Sequence, residues 1–102
     1  MAIVVGNVTP WIAWGGIDKC VLCQQGYFEV TFEFHYTLNG VSHYVSEGCA
    51  NCTAKLVRQD AEYASPTFWA HHKTGYYNFI AYGLIEPFPN LSFKEDPPPD
   101  TT

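Results

Sequence analysis

The chain has 102 residues, enough for one buried core and too few for two. Hydrophobic residues make up 47% of it and charged residues only 15%, well under the ~25% of an average domain. The balance is acidic, five Lys or Arg against ten Asp or Glu with a net charge of -5, which argues against a nucleic-acid partner because phosphate contacts need clustered basic side chains.

The start, "MAIVVGNVTPWIAWGG", lacks a basic leader region. Gly6, Pro10 and Gly15 break it before any apolar run reaches the ~20 residues of a membrane helix. We therefore expect no membrane association and synthesis in a reducing cytoplasm. "IVV" and "VTPWIAW" read as short strands, with Trp11 and Trp14 as core or partner-binding anchors.

Residues 27 to 38, "YFEVTFEFHYTL", alternate strictly, with Phe28, Val30, Phe32, Phe34, Tyr36 and Leu38 on one side. Such alternation predicts a strand with one buried face. Asn39-Gly40 follows, a turn pair that tolerates positive φ at both positions. Folding back about it sets Leu38 against Val41, Tyr36 against His43 and Phe34 against Val45. His43 is then expected on the buried side and His35 in solvent.

Cys20-x2-Cys23 lies just before this hairpin and Cys49-x2-Cys52 just after it. Pairing the strands brings the two cysteine pairs to the open end, where four sulfurs can surround one ion. Knuckle, hairpin, knuckle resembles the zinc ribbon over residues 17 to 55. In that family a proline often follows the first cysteine and a glycine the second. Val21 and Gln24, then Ala50 and Thr53, stand there in this chain. The resemblance implies a structural zinc site. Two disulfides and an iron or iron-sulfur centre are the rival uses of four cysteines. A redox-active dithiol wants its pair at a helix start; it is discounted because a strand follows one pair and two pairs exist rather than one.

"TAKLVRQDAEYA" is open to two readings: Lys55/Gln59 and Arg58/Glu62 at helical spacing favour a short helix near residues 54 to 63, while alternation about Val57 suits a strand. Ser65-Pro66 ends it either way. "TFWAHHKTGYYNFIAYGLI" is expected to form a second hairpin turning near residues 72 to 75. On a strand the adjacent His71 and His72 point to opposite faces and cannot chelate together; in a loop they could take a metal or sense pH. Residues 86 to 102 hold five prolines and read as an extended arm, with Phe88 and Phe93 as further partner-binding candidates.

The expected fold is thus all-β, mostly antiparallel hairpins, with a β-rich domain over residues 1 to 85, a four-cysteine module near 17 to 55 and a Pro-rich arm over 86 to 102. No catalytic residues are expected. Glu29 and Glu33 lack a placed partner acid, the serines lack a nucleophile elbow, and Gly15-Gly16 lacks the lysine of a phosphate loop. The expectation is a non-enzymatic structural or assembly protein binding copies of itself or other subunits. By analogy it would be a small phage virion component such as a capsid cement, connector or tail protein. An intracellular zinc-ribbon adaptor and an iron-binding redox module are the alternatives.

Overall fold

A computed structural model describes residues 2–12, 19–26 and 28–94. Its centre is one antiparallel sheet of four strands: β1 (Ile3–Val5), β2 (Thr9–Ile12), β3 (Val30–Leu38) and β4 (Val41–Gly48). Strand β3 runs through the middle. β4 pairs with one side of it, and β1 and β2 pair end to end with the other. Three short helices come next in the chain: α1 (Ala50–Val57), α2 (Pro66–Trp69) and α3 (Lys73–Ala81).

The β3–β4 hairpin has the expected register, Leu38 with Val41, Tyr36 with His43 and Phe34 with Val45. Asn39 and Gly40 at its tip have φ of 52° and 84°, the positive values that the turn demands. The register slips between Phe34 and Phe32, which faces Gly48. Two residues of β4, Ser46 and Glu47, therefore stand against the single Glu33 of β3, as in a β-bulge.

On one face of the sheet Val5, Phe32, Phe34 and Val45 are buried beneath Ala54, Val57, Trp69, Tyr76 and Leu84. The helices cover only the part of the hairpin next to the cysteines. Val41 near its tip stays exposed and so does His43, which stacks on Tyr36 with ring centroids 4.8 Å apart instead of entering the core.

The second hairpin expected over residues 67 to 85 is instead α2 and α3. Trp69, Tyr76, Phe79 and Ile80 recur at helical spacing and turn toward the common core, so burial outweighs the strand propensity of the aromatics. Pro66 sits in the first turn of α2, where its missing N–H costs nothing. His72 is the N-terminal flank of α3, exposed, and stacks on Phe68 at 4.3 Å; His71 is exposed beside it.

Helix α1 starts four residues earlier than the sequence implied, because Cys49 caps it, and ends at Val57. Just beyond, the buried Asp60 accepts the Val5 amide at 2.7 Å and the Glu62 amide at 2.9 Å, fastening the end of α1 to β1. The described part of the C-terminal arm lies against the chain's own helices. Tyr76 Oη accepts the Phe88 amide, Phe93 packs on Tyr76 and Tyr77, and the Lys94 amide donates to the Ala70 carbonyl. Among the described residues no helix is long and apolar enough to cross a membrane.

Candidate metal centre

Cys20, Cys23, Cys49 and Cys52 meet at the open end of the hairpin, with all four sulfur atoms within 4.8 Å of one another. A tetrahedral ion with bonds of about 2.3 Å would set its sulfurs about 3.8 Å apart, inside this limit. All four are free thiols. The four cysteines are positioned to bind a metal ion.

Two different local structures deliver the sulfurs. Cys20 and Cys23 lie on a tight turn closed by the Gln24 amide donating to the Cys20 carbonyl at 3.0 Å and the Cys20 amide donating to the Gln25 carbonyl at 3.0 Å. Gln24 takes φ of 62°, so the chain adopts at that point the left-handed conformation for which the zinc-ribbon pattern uses glycine. The Val21 amide donates to the Glu47 carbonyl at 2.8 Å and ties the turn to β4.

Cys49 and Cys52 belong to a helix start rather than to a second turn. Cys49 is the N-cap of α1 and its sulfur accepts the Cys52 amide at 3.4 Å. This departs from the expectation of two like knuckles, and α1 continues straight into the core through Thr53, Ala54 and Val57. Gly48 allows the approach. A β-carbon there would lie 3.0 Å from Val45 Cγ1 and 3.2 Å from Thr53 Oγ1.

The electrostatics of the corner centre on Cys20. Burial alone would raise its pKa, but its sulfur accepts the amides of Cys49 (3.3 Å), Cys23 (3.5 Å) and Leu22 (3.4 Å), and the thiol settles at about 6. Burial pushes Cys49 and Cys52 the other way, helped at Cys49 by the Cys20 sulfur and at Cys52 by the sulfurs of Cys49, Cys23 and Cys20, and carries Cys52 well above the ordinary thiol range. Metal-free, the corner thus holds one readily formed thiolate, Cys20, beside which Cys49 and Cys52 resist ionising. A divalent cation removes that conflict, since it is bound by thiolates and favours their ionisation.

Cys20 and Cys49 are buried, Cys23 and Cys52 half-buried. An ion held tetrahedrally by all four has no position left for water or substrate. Of the other candidates, Trp11 is 60% exposed on β2, Trp14 lies outside the described residues, and Phe88 and Phe93 are half-buried against Tyr76. Reading the sequence missed the role of Gln24, whose residue type gives no hint of a left-handed backbone. It also missed the capping of α1 by Cys49, since cysteine is not among the usual N-cap residues.

Comparison of the chain with known families, curated proteins and solved structures finds no match.

Proposed function

We propose that the chain is a non-enzymatic structural protein, clasped by one zinc ion on Cys20, Cys23, Cys49 and Cys52, that works by binding other protein chains. The observation that carries the first half is the closed sulfur corner: four thiols within 4.8 Å, at the junction of the hairpin with the helix that anchors it. A bound ion there contributes on the order of 10 kcal/mol, comparable to the whole stability of a small domain. Partner binding is supported by the exposed apolar side chains of the sheet, with Val4, Trp11, Ile12, Val41 and Tyr44 each more than half exposed.

The narrower reading is a small phage virion component, a capsid cement, connector or tail protein. It draws on the low charge, the acidic balance and the exposed aromatics, all suited to burial against copies of itself or neighbouring subunits. Elemental analysis of protein purified without added metal tests the clasp. One zinc per chain is expected, a visible absorption band would replace it by iron, and neither metal would end the proposal. Light scattering on a sizing column tests the assembly: a defined oligomer is expected, and a strictly monomeric protein with a discrete cellular partner would return it to an adaptor.

A further inference from the structure

On the face of the sheet away from the helices Trp11, Glu33, His35, Tyr44 and Ser46 are exposed, and a depression of about 390 Å3 is lined by Trp11 of β2, Glu33 of β3, and Tyr44, Ser46 and Glu47 of β4. Its construction is specific. Trp11 stands opposite Thr31, so it shares the face of Glu33 two residues along. Tyr44 stands opposite His35, again two residues from Glu33, and its ring packs on the imidazole at 4.7 Å. The Tyr44 hydroxyl donates to Glu33 Oε2 and holds that carboxylate in place. The bulge sets Ser46 and Glu47 together against Glu33, so β4 contributes two residues where a regular ladder would contribute one. Bulges re-aim side chains in this way at functional sites.

Two exposed aromatic rings therefore flank an oriented carboxylate, and Glu47, which has contacts of its own, adds a second carboxylate to the rim. No Lys or Arg lines the depression, and the chain as a whole carries -5. Aromatic faces attract cations, and a carboxylate pairs with a guanidinium through two parallel hydrogen bonds. We propose that this depression is a binding site for a cationic side chain, arginine or lysine, presented by the partner protein. The site rests on the reading that the chain binds other proteins, and it names the chemistry of the contact: charge complementarity, with the cation stacked on Trp11 and paired to Glu33.

The test is a titration of the full-length, zinc-loaded protein with the peptide acetyl-Gly-Gly-Arg-Gly-Gly-amide, monitored by two-dimensional NMR. Lysine and citrulline versions serve as the second cation and the neutral isostere of arginine. Saturable shifts at the Trp11 indole and at the amides around Glu33 and Ser46 are expected, with a Kd on the order of millimolar for the isolated side chain. The lysine peptide should cause smaller shifts at the same residues, and the citrulline peptide none. Glu33→Gln, which keeps an acceptor for Tyr44, and Trp11→Ala should each weaken binding by about two- to fivefold. Glu86→Gln on a distant exposed site should leave it unchanged. Each variant is accepted only if it retains zinc and its backbone spectrum. Equal shifts from the citrulline peptide, shifts spread over the acidic surface without saturation, or unaltered affinity in both site variants would overturn the proposal. Failure of the titration while the protein still assembles removes only the cation chemistry, whereas failure to assemble is read independently on the sizing column.

Discussion

The two cysteine pairs share a spacing and differ in what holds them. Cys49 and Cys52 open a helix whose next turns are buried, and the Cys49 backbone and side chain are fixed by the same bonds that start α1. Cys20 and Cys23 ride on a turn that buries little beyond the Cys20 sulfur itself, with Val21 and Leu22 exposed at 43% and 39%. Two hydrogen bonds tie it to neighbouring elements, the Val21 amide to the Glu47 carbonyl and the Cys49 amide to the Cys20 sulfur. One half of the candidate site is thus built by the core, and the other half is the part that a bound ion would fasten.

Metal removal should expose this difference most visibly. As a strong chelator strips the metal, hydrogen exchange should accelerate first at residues 20 to 26 and only later at α1, and complete removal should cost on the order of 10 kcal/mol of stabilisation. Simultaneous loss at both pairs would mean that the helix start is no better founded than the turn. Gly48→Ala probes the close packing between Val45 and Thr53 and should cost about 1–3 kcal/mol in denaturant unfolding.

The acid–base behaviour of the reduced, metal-free protein sharpens the contrast further. Cys20 has a depressed pKa, so its contribution to stability is complete above the ordinary thiol range and is lost as pH falls through about 6. Cys49 and Cys52 are raised, so theirs is present below the ordinary range and is lost as pH climbs through and beyond it. The metal-free fold should be most stable between these limits. Thiolate absorbance should appear first from Cys20 near pH 6 and vanish in Cys20→Ser; a first step near the ordinary thiol value would refute the assignment. The smallest effect is expected at Gln24. Replacing it with glycine relieves a left-handed residue at φ of 62° and should stabilise the turn by up to about 1 kcal/mol, read as a shift in thermal midpoint.

The hairpin was legible because two independent signals agreed, the strict alternation of residues 28 to 38 and the Asn39-Gly40 turn, and together they give the register from Leu38–Val41 to Phe34–Val45. The sulfur cluster is a consequence of that register. What local pattern could not deliver was the region after Ser65. Tyr76, Tyr77 and Phe79 are good strand residues in isolation, and only Trp69 and the sheet face waiting above them turn the helical spacing into burial. Ser65-Pro66 carries a double meaning: it closes the segment that ends at Ala64 and suits the first turn of α2. The bulge at Ser46–Glu47 was hidden for another reason. An even alternation leaves no mark of an extra residue, and only the pairing of Phe32 with Gly48 exposes it.

The Asp60 carboxylate and the Val5 amide that it accepts are separated by 55 residues. As the chain leaves the ribosome, the first strand therefore emerges long before its acceptor exists, and before the central strand on which it lies. Residues 3 to 5 must wait for β3 before they can pair, and the Val5 amide must wait for Asp60. The first strand is thus held only by long-range contacts, the kind whose closure slows folding.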